Sequence, residues 1–159
     1  MRNLTVRRHV TQFLSLVGVG LTLGLAFAHV LEVIGKLRLD GPQWLTVQQN
    51  LYVAFGPVGG SIEVLGIVFT WLAAYEHHRR SRARHLTMLA AAVASAGLVE
   101  WALVVSPMNS VLNAWTAASL PVEWTAVRNR WEIGHAIQAG FFTVAFAALI
   151  IAALRNDGG

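Results

Sequence analysis

Histidine and glutamate side chains occur within stretches of the sequence that are otherwise apolar. These residues are His29, Glu32, Glu63, Glu100, Glu132 and His135. Ionisable side chains are costly in apolar surroundings, so by default they mark a functional site or pair with one another. Carboxylates and imidazoles can bind a divalent metal, or they can accept and donate protons in a reaction. Both kinds of chemistry are therefore candidates for this cluster.

The spacing of the cluster partly matches a known kind of metal site. Soluble di-iron bundles take one Glu from each of two helices and a Glu-x-x-His pair from each of two others. The pair formed by Glu132 and His135 follows this order. His29 precedes Glu32, however, and this reversal weakens the analogy. All six residues together make up a candidate site for iron, manganese or zinc.

A network of salt bridges is the alternative interpretation of the same cluster. Four basic residues occur near the glutamates in the sequence, namely Lys36, Arg38, Arg128 and Arg130. Their four positive charges would neutralise four glutamates without a metal ion. The residue types leave both interpretations open, so the predicted cofactor is either none or a divalent metal.

Four apolar stretches must position these side chains. They cover residues 10–34, 58–75, 86–105 and 133–154, and the fourth helix is predicted to start earlier, at about residue 122. Each stretch reaches about the 20 residues that a helix needs to cross a bilayer, where backbone groups must be paired within the segment. Only 13% of the residues are charged, which is roughly half the usual share in soluble domains. The sequence therefore predicts an all-α bundle of four transmembrane helices, formed as a single membrane domain by residues 1–159.

The ionisable residues also fall at a similar depth in these predicted helices. Counted from the outer helix ends at about 1.5 Å per residue, all six lie within roughly 10 Å of the outer surface. Because four separate helices place ionisable groups at one level, the sequence predicts one shared site there.

The two outer loops are predicted to carry short interfacial helices. Residues 40–42 (Asp-Gly-Pro) suit a helix start, and residues 109–118 predict a second short helix. Trp44, Trp71 and Trp115 are predicted to anchor at the membrane surface, where amphipathic rings are enriched.

Basic residues lie at the opposite end of all four predicted helices. They are Arg2, Arg7, Arg8, Arg79, Arg80, Arg82, Arg84 and Arg155. An excess of arginine marks the cytoplasmic side, so both termini are predicted to be cytoplasmic, in a bacterial inner membrane. Arginines beside membrane helices explain the positive net charge and argue against a nucleic-acid partner. His77, His78 and His85 in the same loop are predicted to be solvated.

The first helix is predicted to be retained rather than cleaved as a secretory signal, because its apolar run exceeds the roughly 7–15 residues of a signal peptide. Within it, Gly20 and Gly24 form a GxxxG spacing. This spacing suits either a homo-oligomer interface or a contact inside the bundle, and the internal contact is favoured. The other predicted partners are membrane lipid and a small lipophilic molecule.

Two motifs give the chain a resemblance to a known family. The first is Pro-Met-Asn-Ser-Val-Leu-Asn-Ala-Trp at residues 107–115, and the second is Arg-Asn-Arg-Trp-Glu-Ile-Gly-His at residues 128–135. With the glycine-rich first helix, they make the chain similar to the anthrone-oxygenase-like family of small four-helix membrane proteins. The characterised branch of that family is associated with oxygenation of anthrones to anthraquinones, and many members have no known function.

The resemblance implies roles for several residues. His135 or Glu132 would act as a general base on an acidic benzylic C–H group. Arg128 and Arg130 would stabilise the resulting anion. The residues assigned to substrate binding are Trp124, Trp131, Asn109 and Asn113, with a flat aromatic ring between the two tryptophans.

The predicted function is therefore a membrane oxidoreductase, monooxygenase-like, that acts on a small aromatic or lipophilic substrate. The alternative is a non-enzymatic carrier, ligand-binding module or complex subunit whose buried ion pairs serve packing.

Overall fold

Long helices make up nearly all of the computed structural model, which describes residues 2–77 and 81–155. The helices are α1 (Arg2–Lys36), α2 (Gly41–Leu51), α3 (Gly60–Glu76), α4 (Arg82–Glu100), α5 (Ser106–Asn113) and α6 (Trp124–Leu154). No strand occurs in the described ranges. Four segments are long and apolar enough to cross a membrane: Val6–Lys36, Phe55–Glu76, Arg82–Asn113 and Trp124–Leu154. The predicted all-α four-helix bundle is confirmed.

The four long helices form a ring in which the chain direction alternates. Helix α1 packs against α3 and α6, and α4 packs against the same two helices. One end of the bundle, called the basic end, carries Arg7, Arg82 and Arg155. The opposite end, called the site end, carries α2 and α5. The ionisable residues of the apolar stretches lie in the half of the bundle nearer the site end.

Glycines bring α1 and α3 together near the middle of the bundle. A Cβ atom on Gly18 would lie 2.5 Å from the Cα atom of Gly66, so neither position has room for a side chain. One turn closer to the basic end, the hydroxyls of Ser15 and Thr70 hydrogen-bond at 2.8 Å. Small residues and buried hydroxyls are the usual means of packing helices inside a membrane.

The predicted interfacial helix in the first outer loop is confirmed as α2. Its start is fixed by a capping box, in which the Asp40 side chain accepts from the backbone N–H of Gln43 at 2.9 Å. Its buried face contains Trp44, which is fully buried and packs against Trp124. The prediction that Trp44 anchors at the membrane surface is therefore wrong. The local sequence around Trp44 fits both a tryptophan that anchors at the membrane surface and one that is buried in the core. Only the packing of α2 over the bundle distinguishes the two.

The third membrane helix is longer than predicted. Helix α4 continues through a π-helical turn, Trp101–Val105, directly into α5. The predicted second short helix, at residues 109–118, therefore begins earlier and ends at Asn113, followed by a single 3₁₀ turn, Ala117–Ser119. Pro107 lies directly after the π-helical turn, and the helix continues through it to Asn113.

A polar cluster ties α1 to the end of α3 at the basic end. The Glu76 carboxylate pairs with Arg7 at 2.7 Å and accepts a hydrogen bond from Thr11 at 2.6 Å. Arg8 donates to Nδ1 of His77 at 3.0 Å, and His77 is only 3% exposed. The prediction of a solvated His77 is wrong, whereas His85 is exposed as predicted. His78, Arg79 and Arg80 lie outside the described residues.

Candidate functional site

A cavity of about 1030 Å³ lies inside the bundle near the site end. Its wall is contributed by α1, α2, α3, α4, α5, α6 and the π-helical turn Phe55–Gly59. Six of the residues predicted from the sequence line it, namely His29, Glu63, Asn109, Asn113, Trp131 and His135. The cavity is therefore the place where the structure brings half of the predicted site together.

Two imidazoles form the centre of the polar wall. The rings of His29 and His135 lie 4.3 Å apart between centroids, and both side chains are buried. The indole of Trp131 contacts both, with ring centroids 5.0 Å from His29 and 3.9 Å from His135. Tyr52 and Phe55 complete an aromatic surround for His29 at 4.7 and 5.2 Å. The two histidines are thus held in fixed orientations by packing.

The hydrogen bonding of His135 determines which of its nitrogens can act as a base. Its Nδ1 atom lies 3.0 Å from the backbone carbonyl oxygen of Trp131. A carbonyl can only accept, so Nδ1 must carry the proton. The neutral ring then has its lone pair on Nε2. A neutral imidazole with an oriented N–H and a free lone pair is the form that a general base requires.

A carboxylate and an amide form a second polar group on the cavity wall. The Gln138 side chain donates to the two carboxylate oxygens of Glu63, at 3.2 Å each. The sequence analysis missed Gln138, although it lies three residues after His135 and therefore on the same face of α6. The three-residue spacing from Glu132 to His135, repeated once more along the sequence, leads to Gln138.

Glu100 lies beside the cavity rather than in its wall. A Cβ atom on Gly134 would lie 3.3 Å from a carboxylate oxygen of Glu100, which shows how closely this side chain packs against α6. Neither of its oxygens has a hydrogen-bond partner among the described residues.

An ion cluster lies between α1, α2 and α6 beyond the cavity, with Lys36 and Glu132 buried and the Glu32 side chain 42% exposed. The Lys36 ammonium lies 3.0 Å from a carboxylate oxygen of Glu132 and 3.7 Å from one of Glu32. The first contact is an ion pair whose angles fall short of a well-aligned hydrogen bond. Lys36 is 4% exposed and also lies over the indole of Trp131, 4.6 Å from the ring centroid. Tyr52 donates a hydrogen bond to Glu32.

The same cluster affects the ionisation of Tyr52, which lies between the apolar segments. Burial raises the pKa of the Tyr52 phenol, and the hydrogen bond to Glu32 raises it further. Tyr52 therefore stays a neutral donor at physiological pH.

The predicted salt-bridge network forms in part, with Lys36 as its cation. Arg38 and Arg130 are exposed. The guanidinium of Arg128 stacks over the ring of Trp124 at 4.9 Å. Of these four predicted cations, only Lys36 reaches the buried carboxylates in the contacts described.

Several predicted site residues thus lie outside the cavity wall. They are Glu32, Glu100, Trp124, Arg128, Arg130 and Glu132. Trp124 packs against Trp44 with ring centroids 5.8 Å apart, so it does not face Trp131 across a shared space. Asn109 lines the cavity and also accepts a hydrogen bond from the Trp131 indole at 2.7 Å, which fixes that ring.

The predicted metal ligands lie in three places. His29, Glu63 and His135 line the cavity, Glu32 and Glu132 belong to the ion cluster, and Glu100 lies beside the cavity. Within residues 2–77 and 81–155, no group of three or more His, Cys, Asp or Glu side chains is arranged to hold a metal ion. A single site built from all six residues is therefore not formed. The cofactor assignment, either none or a divalent metal, stays a prediction.

Residues that the sequence analysis did not assign to the site also line the cavity, including Gln48, Tyr52, Phe55 and Trp101. Gln48 and Tyr52 come from the loop that was predicted to hold an interfacial helix, so their place in the wall depends on how α2 folds over the bundle. Gln49 fixes α2 to the end of α5, since its side-chain amide donates to the carbonyl oxygens of Leu112 and Trp115 at 2.9 and 3.0 Å.

Comparison with known proteins gives no match: no family, no curated protein and no solved structure is significantly similar to this chain.

Proposed function

We propose that this protein takes a small aromatic or lipophilic molecule into the cavity near the site end and acts on it as an anthrone-oxygenase-like oxidoreductase. The observation that carries this proposal is the placement of His135. Its Nδ1 atom is held by a backbone carbonyl, and the ring borders a cavity of about 1030 Å³ with aromatic walls. A cavity of this size is in the upper range for sites that enclose a small organic molecule.

The proposed reaction begins with transfer of a proton to His135. Nε2 accepts a proton from the acidic CH₂ group of an anthrone-like ketone, and the electron pair of the C–H bond enters the enolate. Molecular oxygen, the co-substrate, takes up electrons from the enolate and forms a C–O bond to that carbon. Protonation by the imidazolium gives a hydroperoxide, which loses water to leave a carbonyl. The overall change is CH₂ + O₂ → C=O + H₂O.

The charge distribution of the cavity argues for neutral hydrogen-bond donors as the stabilisers of the enolate. Among the lining residues described, none is arginine or lysine, because Arg128 and Arg130 lie outside the wall. Gln48 and Asn113 line the cavity with amide groups. Fixed neutral donors inside a low-dielectric site stabilise a developing oxyanion effectively.

The test uses anthrone itself with the protein in lipid nanodiscs. Anthraquinone formation and oxygen consumption are measured, and the rate in empty nanodiscs is subtracted because anthrone oxidises spontaneously. We expect His135→Ala to lose about 10²–10⁴-fold of the protein-dependent rate, the usual contribution of a general base. The matched control is His85→Ala, since His85 is exposed at the basic end and should leave the rate unchanged. A wild-type rate equal to that of empty nanodiscs, or full activity in His135→Ala, would refute the oxidoreductase.

A ligand-binding module without catalysis is the second candidate. The sealed pair of Lys36 and Glu132 favours it, because the strongest charges at the site end serve packing rather than the cavity. Binding of anthrone without turnover in both wild type and His135→Ala would favour this second function.

A further inference from the structure

A second, smaller space adjoins the main cavity between α1 and the start of α3. It has a volume of about 390 Å³ and is called the groove here. Its lining is wholly apolar and rich in glycine: Gly20, Leu21, Gly24, Leu25, Ala54, Phe55, Val58, Gly59 and Ile62. Leu21 and Val58 on its rim are more than half exposed, so the groove faces outward at the level of the apolar spans.

The groove and the main cavity share part of their lining. Leu25, Phe55 and Gly59 line both spaces, so they form the junction between them. Leu25 packs closely on Gly59 at this junction, because a Cβ atom on Gly59 would lie 3.0 Å from Cδ1 of Leu25. Farther out, a Cβ atom on Gly24 would meet nothing within 4 Å, which shows that the groove is open space.

The two spaces differ sharply in chemistry. The histidines, Glu63 and the side-chain amides all lie in the main cavity, whereas the groove offers no polar side chain. A rigid aromatic molecule would use the main cavity alone. A space without polar groups, joined to a polar site and facing the membrane interior, suits the hydrocarbon part of an amphipathic ligand.

We propose that the ligand of this protein is an amphiphile, with a polar aromatic head in the main cavity and an aliphatic tail that passes between Leu25 and Phe55 into the groove. The inference rests on the proposed function in that the same cavity binds the head. At about 30 Å³ for each methylene-sized group, the groove holds on the order of ten carbons. The tail continues into the surrounding lipid where the groove ends.

Glycine substitutions test the path of the tail. Gly24→Leu fills the groove, and the open space at this position means that the variant should fold. The matched control is Gly140→Leu, because Gly140 is an exposed glycine on α6 that also meets nothing within 4 Å and lines neither space. Val58→Phe, on the rim of the groove, is an independent second variant that adds no tryptophan donor to the binding signal.

The probes are naphthol, hexylnaphthol and decylnaphthol, with binding in nanodiscs measured by energy transfer from tryptophan. Concentrations are expressed per lipid, so that partitioning into the bilayer is the same for every variant. We expect Gly24→Leu and Val58→Phe to weaken decylnaphthol binding by about tenfold or more, as overpacking a filled site does. Naphthol binding should be unchanged in both, and Gly140→Leu should bind all three probes like wild type.

The outcomes separate this inference from the proposed function. If wild type does not bind naphthol, the head site and the proposed function fail together. If naphthol binds but decylnaphthol affinity is the same in wild type and both groove variants, the tail inference alone is overturned. A groove occupied only by phospholipid chains would give that second result.

Discussion

Helices α1 and α6 each contribute to two pairs of ionisable side chains, and the two pairs have different surroundings. His29 and His135 meet on the wall of the main cavity, with 4.3 Å between ring centroids. Lys36 and Glu132 meet closer to the site end, at 3.0 Å, and neither lines the cavity. The residues of each pair lie only one or two helical turns from those of the other.

The surroundings determine what each pair can do. The sealed pair carries opposite charges, is 4% and 6% exposed, and lies beneath α2 and Trp131. The attraction between the two charges offsets part of the cost of desolvating them, and neither residue lines the cavity. The histidine pair is oriented by aromatic packing, by the Trp131 carbonyl that holds His135, and by the Glu32 carboxylate, which lies 3.7 Å from Nδ1 of His29. We infer that the sealed pair serves stability, and that the histidine pair serves binding and chemistry.

The largest expected effect comes from breaking the sealed pair. Lys36→Met leaves the Glu132 carboxylate buried without its cation, so we expect the free energy of unfolding to fall by about 3–5 kcal/mol. The measurement is reversible unfolding in mixed micelles, followed by circular dichroism. The double variant Lys36→Met/Glu132→Leu should recover most of the loss, because no orphaned charge remains.

Arg130→Met is the control for this experiment, since Arg130 is an exposed cation at the same end. It should change the unfolding free energy by less than about 0.5 kcal/mol. A loss as small in Lys36→Met would show that the sealed pair contributes little to stability.

Gln138→Leu is expected to reduce stability less than Lys36→Met does, and to weaken ligand binding more. This variant removes the donor to Glu63 on the cavity wall and should cost about 1–3 kcal/mol of unfolding free energy. The cost should be below that of Lys36→Met, because water in the cavity can hydrate the carboxylate. Naphthol affinity should fall as well. Asn129→Leu, an exposed position on the same helix, should affect neither quantity.

The sequence predicted the helices well because length and hydrophobicity decide them. Apolar runs of about 20 residues have no other stable arrangement in lipid, and residues 40–42 carried the chemistry of a helix start. The end of the third membrane helix at Asn113 was missed because the apolar stretch ends at residue 105, whereas the helix continues through a π-helical turn into α5.

The site was predicted only in part because the sequence gives the spacing along each helix but not the rotation of each helix toward its neighbours. Glu132 and His135 share a face of α6, yet one contacts Lys36 and the other contacts the cavity. The burial of Trp44 depends on the fold of α2 over the bundle, which no local pattern records. Long-range contacts of this kind decide which predicted residues meet.

A weaker effect is expected at the basic end, where His77 accepts from Arg8. Burial lowers the pKa of His77, the charge of Arg8 lowers it further, and Glu76 opposes the shift. As pH falls below about 6.5, the unfolded chain binds a proton that the folded protein does not, so stability is lost toward acidic pH. His77→Gln should flatten this decline relative to wild type in unfolding experiments across pH 5–8, whereas His85→Gln should not. Equal pH dependence in all three proteins would contradict a buried neutral His77.

The smallest expected effect concerns metal content. Its measurement tests whether the Lys36–Glu132 pair and the His29–His135 pair are separate. Catalytic zinc sites use three protein ligands and structural sites use four, and no such group occurs among the described residues. We therefore expect elemental analysis of the purified protein to find well under one iron, manganese or zinc per chain. The variant Glu63→Gln/Glu100→Gln should not differ from wild type, since it removes two carboxylates that share no third ligand in the structure. Near-stoichiometric metal in wild type that disappears in this variant would mean that Glu63 and Glu100 converge with the histidines. The sealed pair and the histidine pair would then be parts of one shared metal centre rather than separate groups.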